Sequence, residues 1–571
     1  MYLRETRRRN ADGSEVAYLA LAHNVRDEQT GVPKAQIVYN FGRADLVDRD
    51  ALKRLVRSIS RFLDPTDALA ATLSPGLKVL DSRSMGSAWV ADQLWRRLGI
   101  DRAIAQVAQR RRVDAALMER VIFAMVANRL SVKPLSKLAG CTWVKRRVYI
   151  EGLESVSDDA CYRAMDFLLD AISELQEQVF FSVANLCNLE VDLLFFDTSS
   201  TYFETDRLEE EEQEELDDEE AGGEEGIVES GIRRWSKNSK DHRPDLPQVV
   251  VGMAVTREGI PVRVWTFEGT ASDQVIIKKV KDDLGSWGLH RVIWCLDRGF
   301  NSEDNRRYLQ RAGGHYIVGE KLRSTSLEAK EALGRQGRYK VVKGNLRVKE
   351  VHVGDDRFVV CHNPERALFD KATRENIVAH LETRIAESDS LSKTKRHELY
   401  GALCTKVGFK RFLRLTKDAK LRIDRAAVRR EAHFDGKYLL RSSTARLSAE
   451  DIALGYKALY EAERGWRDMK STIDLRPVFH RREDRIRAHV QLCWLGLLVL
   501  RVAEVETADT WRNVRNELDR MHLVTFAAAE GTVSQRSETT SRQRSILAAL
   551  KLAEPPLFFD FAPAPELDET G

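Results

Sequence analysis

The sequence predicts a mixed α/β protein of several domains, and three observations carry that expectation. Two apolar runs, Val191–Asp197 (VDLLFFD) and Arg291–Asp297 (RVIWCLD), each end in an aspartate, as expected of strands buried on both faces. Around them the pattern switches to helical periodicity, over Ser272–Leu284 and about Glu303–Ala312. At 571 residues the chain is also too long for one hydrophobic core, so three or more domains are expected.

In chain order, residues 1–75 show short alternating runs (Val16–Leu21, Ala35–Asn40) between turn signals, predicting a small β unit. Residues 76–185 are helical in period and carry basic clusters: Arg110-Arg111-Arg112, Lys133, Lys137 and Lys145-Arg146-Arg147. Such a domain suits DNA backbone binding, since each neutralised phosphate releases counterions; solvated helix faces look similar. Residues 186–318 follow as the first part of an α/β core. Gln248–Thr256 and Ile260–Glu268, joined by Arg257-Glu258-Gly259, read as a hairpin, and His315–Val318 as a short strand. Strand, hairpin, helix, strand, helix, strand is the order of an RNase H-like core.

Residues 319–432 interrupt that core with a partly β insertion. Its first half has strand signals (Arg338–Lys343, Leu346–Val353, Phe358–His362), and its second half, Pro364 to about Glu431, reads as helical and charged. Residues 433–505 resume the core. A helix is predicted from the capping-box-like Ser448-Ala449-Glu450-Asp451 to about Thr472. Tyr456, Glu463 and Lys470 stack at its edge, because sevenfold spacing nearly repeats the direction. Val490–Ala503 reads as a buried core helix, too short and too interrupted by Gln491 and Arg501 to span a bilayer. Residues 506–571 form a tail region with a possible hairpin and a final helix, Ser541–Leu552.

The net charge of +3 conceals an asymmetry. Residues 204–229 hold fifteen acids and one arginine, which leaves 90 basic against 73 acidic residues elsewhere. A body this basic commonly meets a polyanion. The acidic segment is expected to be a mobile insert, since its carboxylates repel and its apolar groups are few. The opening MYLRETRRRN shows no secretory signal, and the seven cysteines form no CxxC pair, so reduced thiols in a cytoplasmic, nucleoid-associated protein are expected.

Asp197 and Asp297 are the first candidates for chemistry. A carboxylate among apolar neighbours is costly unless paired or bound to a metal, and ligand sites in open α/β sheets lie at the carboxyl ends of strands. On adjacent strands the two would converge on a magnesium ion, which takes hard oxygen ligands. Two such ions would activate a water and stabilise the leaving oxygen of an in-line displacement. Taken singly, an aspartate at a strand end more often caps the next helix. Glu463 likewise has an ordinary reading as an i,i+4 partner of Arg467. No Walker-type, HExxH or GxSxG pattern competes.

Together the motifs resemble prokaryotic insertion-sequence transposases with an Asp-Asp-Glu triad, in the branch marked Tyr-x2-Arg-x3-Glu-x6-Lys. Tyr456, Glu463 and Lys470 match that signature, while Leu459 stands where the branch has Arg. Within that branch it looks more like a long subgroup, through SKDHRPDLPQVVVGMAV, CLDRGF, FDGKYLL and LRPVFHRREDRIRAHV. The resemblance covers roughly residues 1–555. It implies an RNase H-like core with an insertion before the Glu, and Asp197, Asp297 and Glu463 as catalytic and metal-binding residues. It also implies two Mg²⁺ or Mn²⁺ ions, binding to terminal inverted repeats and target DNA, and a homodimer in the synaptic complex. Tyr456 and Lys470 would contact DNA near the cleavage point. Arg467, His242, Arg243 and Arg481 are further candidate DNA contacts. Some members stack a flipped base on a Trp of the insertion, and this chain has no Trp between Trp294 and Trp466. Two other readings stay open: an RNase H-like nuclease that cuts without joining, and a non-catalytic DNA-binding regulator.

Overall fold

The computed structural model describes residues 1–10, 15–26, 33–60, 78–186, 191–203, 232–236, 239–241, 243–323, 326–476, 480, 482–528 and 531–563. The acidic run 204–229, His242 and Arg481 lie outside them. The chain divides into two compact units. One comprises Met1–Asp81, Val524–Gln535 and Phe558–Gly571; the other comprises Ser82–Leu523 and Arg536–Leu557.

In the first unit, Tyr2–Arg9, Glu15–Arg26 and Pro33–Arg43 form an antiparallel meander, followed by the helix Arg49–Ser60. The C-terminal residues contribute sheet as well as helix: His522–Ala528, Gly531–Arg536 and Phe558–Pro563 share a four-stranded sheet with Lys78–Ser84.

The second unit holds six helices between Gly86 and Leu186 and then the main sheet. Its first strands are β1 (Leu193–Tyr202), β2 (Pro247–Val255) and β3 (Pro261–Glu268). A helix, α1 (Asp273–Gly285), leads to β4 (Ile293–Leu296) and β5 (His315–Glu320). The spatial order is β3-β2-β1-β4-β5, antiparallel across the first two pairings and parallel across β1–β4 and β4–β5. The β2–β3 turn needs Gly259, whose φ of +78° is costly for a residue bearing a Cβ.

The sequence suggests that β1 ends at Asp197. Instead it continues through Thr198-Ser199-Ser200 to Tyr202, because β2 supplies an antiparallel partner throughout, Asp197 facing Met253 and Tyr202 facing Gln248. What stops near Asp197 is the parallel neighbour, whose last paired residue is Leu296 opposite Phe196.

The insertion brings β6 (Lys340–Lys343), β7 (Leu346–Val353), β8 (Asp356–His362), α2 (Pro364–Ile385) and α3 (Lys393–Cys404). A short hairpin, Leu413–Leu415 with Leu421–Ile423, lies inside the stretch expected to be helical. Its leucines point into a small core of their own with Leu381, Ile385, Leu403 and Phe412. The return strand β9 (Lys437–Ser442) then pairs antiparallel with both β8 and β5. The insertion strands therefore extend the core sheet instead of forming a separate one.

Next come α4 (Ala449–Lys457) and α5 (Tyr460–Ser471), where a single helix is expected. The capping box at Ser448 is present, with Asp451 and Ser448 bonded reciprocally. The helix breaks at Ala458-Leu459, where tight i→i+3 bonds replace the α ladder: Leu459 N–H donates to Tyr456 O, and Glu461 N–H to Ala458 O. Gly465 lets α5 lie close on β2, since a Cβ there would sit 2.7 Å from Met253 Cε. Last, α6 (Glu483–Thr507) is long and apolar enough to cross a membrane by length and composition, yet 94% of that apolar window is buried inside the protein. One continuous cluster joins α6, α5, the Phe195 face of β1 and the helices after Gly86. That shared burial is why the helical segment, the core and the insertion belong to one unit.

Candidate active site

The register Phe196↔Leu296 sets Asp197 and Asp297 side by side where β4 ends. Leu193 and Phe195 pack in the cluster that holds α5, while Leu194 and Phe196 pack in the cluster with α1. Alternation therefore puts Asp197 on the α5 face. Burial, opposed by Lys240, raises its carboxyl to about 6, with the negative charges of Asp273 and Asp297 adding to the rise. Asp297 is exposed and opens a 3₁₀ turn, Arg298–Phe300, without its carboxylate accepting a cap hydrogen bond. The ordinary capping role is thus not taken up.

Asp297 and Glu463 line one cleft of about 560 Å³, together with Tyr438, Tyr456, Tyr460 and Lys457. Glu463 is exposed there, and among the described residues no cation or donor pairs with it. Arg467 feels the Glu463 charge but forms no close ion pair with it; its guanidinium lies over the Tyr460 ring at 5.8 Å. Among the described residues no three His, Cys, Asp or Glu side chains converge as a metal-holding group. The aspartates are brought together, and Glu463 stands on the wall of the cleft that Asp297 opens into. Two neighbouring carboxylates, one of them buried beside the other's charge, form a donor set that suits a hard divalent cation.

Tyr456 lines this cleft from α4 and Glu463 from α5, on either side of the helix break, whereas Lys470, about two turns beyond Glu463 on α5, does not. The Tyr456 hydroxyl donates to Asp297 Oδ1 at 3.2 Å, and its ring stacks on Tyr438. Burial and the nearby Asp297 charge push the phenol well above its ordinary value, so it stays a donor. Gly319 makes room for it: a Cβ there would lie 2.5 Å from the hydroxyl. Gly319→Ala should therefore displace Tyr456 and, if Asp297 serves catalysis, slow DNA cleavage about tenfold or more, the worth of one hydrogen bond to a charged group. Tyr456→Phe should match it. Wild-type cleavage by both variants, with melting curves unchanged, would show that the hydroxyl contact plays no part.

Lys470 forms a buried ion pair with Asp241 at 2.7 Å, and Arg476 reaches the same oxygen at 2.5 Å. Arg243 pairs with Asp245 at 2.8 Å and lies over the Tyr202 ring. Lys240 escaped the sequence reading, although it stands in the KDHRPDL stretch. Its ammonium donates to Thr198 O at 3.0 Å and to Asp273 at 3.2 Å, placing a cation beside Asp197. Tyr438 was also missed; its signal was the FDGKYLL motif.

Comparison with known proteins adds two findings. Residues 3–70 match the family described as IS1634 family transposase, N-terminal domain, which supports an insertion-sequence transposase. Among solved structures, a piggyBac transposase synaptic complex with hairpin DNA is similar, at 9% identity and a TM-score of 0.33, over 81% of this chain and 79% of that one. A score that low does not establish a shared fold. No curated protein sequence matches.

Proposed function

We propose that the chain is a transposase that cuts and joins DNA strands at transposon ends, with an RNase H-like catalytic core and Asp197, Asp297 and Glu463 as its carboxylates. The observation that carries the reading is the placement of Asp197 and Asp297 one residue beyond the last β1–β4 pair, in a sheet of order β3-β2-β1-β4-β5. That order, with its first two pairings antiparallel and the rest parallel, is the one an RNase H-like core requires. The N-terminal match supports the transposase part of this reading.

Asp197 and Asp297 would hold divalent magnesium or manganese, with Glu463 contributing from the cleft wall. When bound, such ions would supply a nucleophilic water and charge stabilisation at the scissile phosphate. The chain's own residues do the rest. Tyr456 holds Asp297 by its hydroxyl, and the exposed Lys457 offers a cation to a phosphate in the cleft. A 3′-hydroxyl freed by the first cut then attacks a target phosphate, which expels its own 3′-oxygen as one bond replaces another. We assign this work to a homodimer bridging two ends.

The test is a paired assay on a duplex carrying the element's ends, reading cleavage and strand transfer separately. Strand transfer products support a transposase; cleavage alone would reduce the protein to a nuclease. Because Asp197 titrates near pH 6, protons compete with the metal below it. The Mg²⁺ concentration giving half-maximal cleavage should accordingly rise as pH falls from 7 to 5. A midpoint that does not move would remove Asp197 from the metal site.

A further inference from the structure

The second half of the insertion is far more basic than the proposed chemistry requires. Residues 390–432 hold thirteen Lys and Arg against four Asp and Glu. Several are already neutralised: Arg411 pairs with Glu431, Arg422 with Asp389, and Arg425 with Glu382. Others are exposed with no carboxylate partner among the described residues, namely Lys393, Lys395, Arg414, Lys417 and Lys420.

These five belong to one end of the subdomain. Lys393 and Lys395 lie in the first turn of α3, which carries no acid. Arg396, from the same turn, donates to the carbonyls of Asp389 and of Asp418, and Asp418 lies in the hairpin tip between Lys417 and Lys420. The start of α3 and the hairpin tip are thereby clamped together. Asp389 feels Lys420 and Arg396 as well as its partner Arg422, all of which hold its carboxyl below the usual range. On the hairpin, Arg414 faces Arg422 directly across the strands. Asp389 already covers Arg422 there, which leaves Arg414 as the exposed cation of that cross-strand pair, with no carboxylate hydrogen-bonded to it among the described residues. The acids nearby are Asp389, Glu398, Asp418 and Asp424, the last of which feels Arg414 and Arg430; they offset only part of this charge. The hairpin's other face is filled by the small core around Phe412, so the cations sit on a folded support.

We infer that this basic surface binds the phosphodiester backbone of duplex DNA, independently of sequence, as a second holding point outside the cleft. Exposed cations of this kind suit phosphates as point contacts. The identity of the ligand rests on the transposase reading; the charged surface itself does not.

The experiment compares two full-length variants with the unaltered chain. One carries Lys395→Gln, Arg414→Gln, Lys417→Gln and Lys420→Gln. The control loses the same number of charges from cations that already have partners: Arg335→Gln, Arg366→Gln, Lys371→Gln and Arg425→Gln. Affinity for a random-sequence DNA duplex is measured against salt concentration. Each lost phosphate contact lowers the slope of log K against log salt by ~0.9, so the first variant should be shallower by roughly 3 and bind about tenfold or more weakly at low salt. The control should stay near the unaltered chain. Equal slopes for both variants would overturn the inference, as would a loss confined to double-stranded RNA. Cleavage read in parallel separates the two proposals. A shallower slope without any cleavage by the unaltered chain leaves the surface standing and removes the transposase reading; normal cleavage with an unchanged slope does the reverse.

Discussion

Asp197→Asn and Asp297→Asn should each reduce DNA cleavage by a factor of about 10³ or more while leaving DNA affinity within a few fold. Each change removes a carboxylate charge at the end of β4 and almost no volume, so β1 and β4 keep their pairing. The magnitude follows from taking a ligand from a metal that supplies both the nucleophile and charge stabilisation. Asp197→Asn has a second consequence. It removes a carboxyl that burial and its acidic neighbours disfavour, so the variant should melt no lower than the unaltered chain at pH 7 without metal. The sign follows because a folded carboxyl raised to about 6 stabilises only below its unfolded value, and that contribution is lost as pH rises toward 6. Glu463→Gln belongs in the same set. Its loss of cleavage would tie the cleft wall to the aspartates, and wild-type cleavage by it would leave them working without it.

The other large effect concerns stability. Asp241→Ala should cost about 3 kcal/mol, because Lys470 and Arg476 both direct a cation at one buried oxygen and would be left facing each other. Lys470→Ala should cost less, since Arg476 still compensates Asp241. Burial already draws the Lys470 ammonium below its ordinary range, against the pull of Asp241. A denaturant series on both single variants and the double variant measures the coupling. If Asp241→Ala melts like the unaltered chain, the pair is a surface contact and Lys470 is free to meet DNA.

These two predictions mark what the sequence discloses and what it hides. Asp197 and Asp297 were legible because a strand buried on both faces writes an unbroken apolar run, and a carboxylate at its end stands out. The continuation of β1 through Thr198-Ser199-Ser200-Thr201 was not, since a polar run reads as a loop until an antiparallel partner is known. The break at Ala458-Leu459 left no trace, because both residues suit an unbroken helix. Lys470 looked available for DNA from its place on the helix; its partner Asp241 is remote in sequence, and no local periodicity reports such a pair. The hairpin at Leu413–Ile423 was obscured by its length, since the alternations Leu413-Arg414-Leu415 and Leu421-Arg422-Ile423 are too short to stand out from a charged helical pattern.

The single sheet that runs from the insertion into the core also orders the assembly of the protein in time. Strand β9 closes against β5 by pairing Ile317 with Ser442, and against β8 by pairing Phe358 with Arg441. Neither closure can form until the ribosome has delivered the whole insertion, and the loop entropy of bringing such distant segments together must be met at that step. The Asp197–Asp297 pair uses earlier residues and can be in place beforehand, whereas α4 and α5 follow β9 directly. Tyr456 and Glu463 therefore reach the aspartates last, so a nascent chain would carry its acidic pair for a while without the wall that completes the cleft.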